Sequence, residues 1–271
     1  MTKLINTLFA FVLLAAVFSA CNKEEAASVD DAKVVSPEAL SQIKALGFST
    51  DNVTKTDGGY IIEGDIFMSE EAIGAAYFEE VVLRIADVEQ YRTTNLVSVP
   101  GSTRTLRIAM TTNLPSSYSA SLNTAISRYN AENLRLRFLR VSAYPVDILF
   151  DTAPNGSSYL ASAGFPTGGN PFGTVLVNTS AIGSNPVSSY LASIMAHEMG
   201  HCIGFRHTDY MDRSYSCGGA YTNEGASTVG AIRIPGTPSS ADPNSWMLAC
   251  IGTGVNRPFN SNDRTALNYL Y

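Results

Sequence analysis

All three histidines of this 271-residue chain lie between positions 197 and 207, in the run HEMGHCIGFRH. Imidazole nitrogens are good zinc ligands, and the spacing decides what they can do together. His197 and His201 are four apart, so on a helix both project from one face and can grip one ion. Glu198, beside the first of them, is placed to take a proton from metal-bound water. Gly204 follows three residues after His201. Glycine tolerates positive φ, so it can end the helix in a left-handed cap and turn the chain sharply. That turn brings His207 back towards the same ion as a third ligand. Three imidazoles and one water make an open tetrahedral site, the catalytic kind, whereas structural zinc is closed by four protein ligands. The chain has no fourth histidine, and Cys202 points about 140° away from His197 around a helix of 3.6 residues per turn.

The elements that must position these residues are legible around them. Pro186 opens a long helix in which Leu191, Ile194 and Met195 keep helical spacing to about Ile203. Ahead of it, residues 104–110 alternate as a strand, with Leu106 and Ile108 on one side. Leu122, Ala125, Ile126 and Tyr129 fall at i, i+3, i+4 and i+7, a helix. Leu134, Leu136 and Phe138 alternate with Arg135 and Arg137 as a half-buried strand; residues 146–150 and 173–177 supply two more. Strands and helices interleaved in this way predict an α+β fold, a mixed sheet with helices packed on it. At the end, Leu267, Leu270 and Tyr271 have helical spacing.

Further upstream, Ser36-Pro37-Glu38 reads as an N-cap with proline at the first helical position, and Gly47 as the stop. Asp57-Gly58-Gly59 is a turn, residues 60–68 an apolar stretch of strand type, and a helix from Ser69-Glu70-Glu71 runs towards Glu89. Pro100-Gly101 breaks a polar stretch and marks a boundary near residue 100.

Residues 1–20 carry a lysine near the start, an apolar run too short to span a bilayer with ease, and small residues before Cys21. That is the layout of an export signal. Ser19-Ala20-Cys21 resembles a lipobox, with Phe18 in place of the usual leucine, and implies lipidation of Cys21. The polar, acidic residues that follow form a tether, and their start resembles the surface-export signal of Bacteroidota lipoproteins. Of the remaining cysteines, Cys202, Cys217 and Cys250, an oxidising compartment allows one disulfide in three pairings; Cys217 with Cys250 is favoured because the predicted helix fixes the direction of Cys202. A net charge of −6 without a basic cluster argues against nucleic acid as a partner. With 13 Tyr and 12 Phe, the chain has ample material for a core, so it is not disordered.

His197, Glu198, His201, Gly204 and His207 match HExxHxxGxxH, the extended zinc motif of metzincin metallopeptidases. The run HEMGHCIGFRHTD more narrowly resembles the dual-action HEIGH metallopeptidases of bacteria, with Met199 replacing isoleucine. The resemblance covers residues 100–271 and implies a metzincin-like zinc protease fold. Its features are a twisted mixed five-stranded sheet, an active-site helix beneath it and a small C-terminal subdomain. It implies that residues 173–178 (GTVLVN) are the antiparallel edge strand that holds extended substrate. Met247 fits the place of the Met-turn beneath the metal, while Met211 is too close to His207. Thr208 stands where astacins have glutamate and Ala249 where they have a zinc-ligating tyrosine, which leaves Tyr210 or Tyr215 as substitutes. Ile62-Glu63-Gly64-Asp65-Ile66 resembles the FxGDI motif of astacin propeptides, in which the aspartate takes the water position on zinc. Asp65 is therefore a candidate zymogen switch.

Together these readings imply an exported zinc endopeptidase with one catalytic Zn²⁺, acting on protein or peptide through a water activated by Glu198. The expected organisation is a signal peptide (1–20), an acidic tether and propeptide-like region (21–100), and a catalytic domain (101–271) divided at residue 204 into N- and C-subdomains. The expected location is the outer membrane or cell surface, with the Cys21 lipid as the membrane contact. Cleavage near residues 90–103 would release the catalytic domain from that anchor. Asp and Asn in glycine-rich loops suggest Ca²⁺ without specifying a site. Two other readings fit the same residues: a surface binding lipoprotein with a non-catalytic zinc site, and a zinc hydrolase of peptidoglycan cross-links.

Overall fold

A computed structural model describes residues 34–76, 90–226, 229–238 and 240–271. The signal peptide, Cys21, most of the tether and the predicted helix beyond Ala76 lie outside the described residues. Helix α1 (Pro37–Ala45) precedes strands β1 (Thr54–Thr56), β2 (Gly59–Ile62) and β3 (Ile66–Ser69), helix α2 (Glu70–Ala76) and the short strand β4 (Tyr91–Arg92). Next come β5 (Arg104–Met110), α3 (Tyr118–Ala131), β6 (Leu136–Arg140), β7 (Ile148–Thr152), β8 (Ala161–Ser162) and β9 (Thr174–Val177). The chain closes with α4 (Thr179–Ile182), α5 (Ser188–Ile203), α6 (Ser214–Cys217), β10 (Ile232–Arg233) and α7 (Ser261–Leu270).

The main sheet has five strands in the order β6-β5-β7-β9-β8. Its first four strands are parallel, and β8 runs antiparallel to β9. Parallel neighbours need crossovers, and α3 supplies the one between β5 and β6. The residues predicted to form its apolar face, Leu122, Ala125, Ile126 and Tyr129, are all buried. They share one core with Leu106, Ile108, Phe150, Val175 and the inner side of α5. The Tyr129 hydroxyl donates to the Ala196 carbonyl at 2.7 Å, which ties α3 to the helix that carries the histidines.

Two expectations are corrected here. Residues 173–178 do not form the sheet edge: β9 is flanked by β7 on one side and by β8 on the other. Its Thr-Val-Leu-Val sequence is the stronger strand signal, whereas the true antiparallel edge is two small residues, Ala161 and Ser162. The apolar stretch 60–68 is also not one strand. It folds back on itself, Ile62 pairing with Ile66, so β2 and β3 form a hairpin whose turn holds Glu63, Gly64 and Asp65. Glu63 and Gly64 both adopt positive φ, 52° and 92°, which the run of apolar side chains does not reveal.

The three-stranded β1-β2-β3 sheet and α1 build a second, smaller core from Ile43, Leu46, Phe48, Tyr60, Ile62, Ile66 and Met68. The Ser36 hydroxyl caps α1 by accepting from the Ala39 amide at 3.1 Å, and Gly47 follows its end with φ 84°. At the opposite pole, the Asn260 side chain and Asp263 form a reciprocal capping box that starts α7. Among the described residues no helix is long and apolar enough to cross a membrane.

Candidate metal centre

Helix α5 is buried along nearly its whole length, and it ends where the histidines need it to end. Gly204 caps it in the left-handed conformation, φ 109°. A side chain there would also collide with Leu96 Cδ2 at 2.7 Å and with the Asn95 carbonyl at 3.1 Å. The chain then reverses, held by the Thr93 amide on the Gly204 carbonyl at 2.8 Å and the Arg206 amide on the Tyr91 carbonyl at 2.9 Å. This reversal carries His207 back beside His201, their Nε2 atoms 3.2 Å apart.

Each imidazole is aimed by a partner on its Nδ1. His197 Nδ1 lies 2.9 Å from the Trp246 carbonyl oxygen and His201 Nδ1 lies 2.9 Å from that of Phe205. A carbonyl only accepts, so these rings carry their proton on Nδ1 and turn an Nε2 lone pair inward. His207 Nδ1 faces the buried Glu224 carboxylate at 2.8 and 3.0 Å. Asp65 enters from the hairpin turn, its Oδ2 3.5 Å from His197 Nε2 and 3.2 Å from His207 Nε2. One ligand atom from each of these four residues falls within 4.8 Å of the others.

The donor set fits a zinc ion. His197 Nε2, Asp65 Oδ1 and Glu198 Oε2 are buried without a hydrogen-bond partner, a costly arrangement unless a cation is shared among them. The charges agree. Burial alone would lower His207, yet Asp65 and Glu224 hold its pKa well above the usual imidazole value, so positive charge is attracted to this spot. Burial would raise Asp65, but the neighbouring His207 and His197 imidazoles bring it well below the carboxylate range. Glu198 is driven well above that range by burial, with the Asp65 charge adding to the effect. His201 is lowered by burial and by its two histidine neighbours.

Met247 lies beneath the helix. A side chain on Gly200 would meet its sulfur at 2.5 Å, so the glycine of HEMGH is what lets this loop approach. Thr208 ties the same loop to the third histidine, its amide on the Met247 carbonyl at 2.8 Å and its hydroxyl 2.7 Å from that of Ser245. Tyr210 is buried, its ring edge-to-face on Tyr91 at 4.4 Å and 5.5 Å from the Arg206 guanidinium carbon. The Tyr215 hydroxyl donates to the Ala241 carbonyl. The disulfide joins Cys217 to Cys250, and Cys202 is free and buried. Both bridged cysteines line a cleft of about 950 Å³ that also contains Asp65, Tyr159, Ala161, His197, Glu198 and Arg257. Glu224 and Tyr159 escaped sequence reasoning. Each lies in a polar, irregular stretch without periodicity, and nothing local marks either one as buried.

Three convergent imidazoles with a buried carboxylic acid alongside, at the end of a helix in an α+β fold, define a zinc metallopeptidase. The chain belongs to the dual-action HEIGH metallopeptidase family, whose model matches residues 60–271 and so takes in Asp65 as well as the histidines. Two solved structures of myroilysin are similar. One is 14% identical, with 64% of this chain and 83% of that chain covered at a TM-score of 0.40. The other is 12% identical, with 65% and 96% covered at 0.37. No curated protein matches.

Proposed function

We propose that this metallopeptidase is an exported endopeptidase kept silent by its own N-terminal segment. The observation that carries the reading is the placement of residues 65–67, with Asp65 in the cleft among the histidines and the backbone paired with Ala163. While the Asp65 side chain lies among the histidines, its carbonyl accepts from the Ala163 amide at 3.1 Å, and the Phe67 amide donates to the Ala163 carbonyl at 2.8 Å. Ala163 follows β8, the antiparallel edge. An extended peptide would use the same backbone groups, so segment and substrate compete for one place.

In this reading His197, His201 and His207 would hold the zinc, with the Asp65 carboxylate beside them until the segment leaves. When bound, zinc supplies a Lewis acid that polarises a carbonyl and makes water more acidic. Glu198 then accepts a proton from water on its unpartnered Oε2 and returns it to the leaving amine. Met247 acts as the Met-turn, a floor that fixes the height of α5. Because residues 90–98 are pinned by the Thr93, Val97 and Ser98 amides, the cut that frees the hairpin is placed upstream of Gln90 rather than within the expected residues 90–103. The Cys217–Cys250 bridge suits an oxidising compartment, in keeping with export and a Cys21 lipid anchor.

The test is casein cleavage by residues 22–271 before and after limited trypsin, with intact mass, for wild type and Glu198→Gln, each with and without 1,10-phenanthroline. Activity that appears on cutting and disappears with chelator or the variant supports the reading. Full activity without a cut removes the zymogen, and no cleavage by cut wild type removes the endopeptidase.

A further inference from the structure

Only one of the three histidines depends on a side chain for its aim. His197 and His201 rest on backbone carbonyls, which no substitution of a side chain deletes, while His207 rests on Glu224. Glu224 is fully buried, far along the chain from the motif, and its amide is anchored on the Tyr210 carbonyl at 2.8 Å. Two arginines flank its carboxylate. Arg206 Nη2 stands 3.9 Å from Oε2 and Arg213 Nε 3.6 Å from Oε1. Both arginines also meet the N-terminal segment. Arg206 Nη2 donates to Glu63 Oε2 at 2.8 Å, and the Arg213 guanidinium lies directly over Gly64, where a side chain would strike it.

We propose that Glu224 is the positioning residue of the third metal ligand, and that the segment reaches it through Arg206 and Arg213. The carboxylate accepts from His207 Nδ1, which directs Nε2 to the metal and makes it a stronger donor. Arg206 is enclosed by the Phe48, Phe165 and Tyr210 rings and donates to the Ala226 and Gly230 carbonyls, so it is held in place whichever carboxylate it serves. With the segment docked, Arg206 is closer to Glu63 than to Glu224. The docked segment thus shares Arg206, and through Gly64 Arg213, with the carboxylate that holds His207. The inference rests on the zinc site proposed above.

The test measures zinc retention by the full chain against a competing chelator for wild type, Glu224→Gln, Glu224→Ala, His207→Ala and the His207→Ala/Glu224→Ala double variant. The expected losses of affinity are about 10–100-fold for Glu224→Ala and less for Glu224→Gln, which keeps an acceptor. In the His207→Ala background, adding Glu224→Ala should change retention little, because Glu224 acts through that ring. Circular dichroism and the melting temperature of the zinc-free proteins separate this from misfolding. If Glu224→Ala does not fold, the Gln variant carries the test. A folded Glu224 variant that holds zinc like wild type, or an undiminished effect in the double variant, overturns the proposal. Wild type that binds no zinc would instead overturn the metal site itself.

Discussion

The two walls of the metal centre are made differently. One is α5 with the loop beneath it, buried in the main core and locked by Gly200, Gly204 and the Tyr129 hydroxyl. The other is a hairpin of four-residue strands with its own small core, which meets the histidines through Asp65, pairs with Ala163 beside the sheet edge, and packs Ile61 and Phe67 against Ala153, Tyr159 and Leu176. The first wall is continuous with the fold and the second is applied to it. This difference suits the zymogen proposed above, which would keep its ligands while shedding a cover.

Single substitutions separate the two walls. The largest effect belongs to the permanent wall: Glu198→Gln should lower kcat of the cut enzyme by about 10²–10⁴-fold. Zinc content should be unchanged, checked by steady-state kinetics and metal analysis. Gly204→Ala should cost about 3–4 kcal/mol, since it combines left-handed strain with a clash against Leu96 and Asn95. Denaturant melts with and without zinc would show it, and the metal-dependent part of the stability should vanish.

A pH effect probes the same wall away from the metal. Asp263 accepts from the Trp246 and Asn260 amides and from Gln90, yet burial outweighs these bonds and raises its pKa from 3.8 to about 6. A carboxyl raised on folding binds its proton more tightly in the native state. Its contribution is therefore full below about pH 4 and lost as pH climbs through 6, up to about 3 kcal/mol. Melting temperatures of wild type minus those of Asp263→Asn should fall across that window and level off above it.

The smallest effect belongs to the removable wall. Glu63→Gln deprives buried Arg206 of its closest carboxylate and should loosen the hairpin. Timed trypsin digestion should show conversion several-fold faster than in wild type, with the activity of the cut enzyme unaltered. Slower conversion would mean that the hairpin is held by something other than this ion pair.

The two walls also differ in how far the sequence discloses them. His197 and His201 are one helical turn apart, Glu198 adjoins the first and Gly204 ends the helix ahead of His207, so residue order alone implies their geometry. Gly204 had to be a cap because only a reversal returns His207 to the metal. Asp65 entered through resemblance, and its placement depends on a turn with two positive φ values hidden in an apolar run. The edge strand is not legible in the sequence because pairing depends on partners, and Ala161-Ser162 has too little side chain to advertise itself. Glu224 was missed for a related reason. A glutamate in a polar loop looks solvated until Arg206, Arg213 and His207, none of them its sequence neighbour, close around it.

The central claim is that Asp65 blocks a site already built. The direct measurement is the ratio of peptidase rates after and before cutting upstream of Gln90, for wild type and Asp65→Ala at equal zinc loading. The account predicts a steep rise for wild type and a markedly smaller one for Asp65→Ala, whose uncut form should already be active by at least roughly tenfold over uncut wild type. Uncut wild type at full rate, or the same ratio in both proteins, would contradict it.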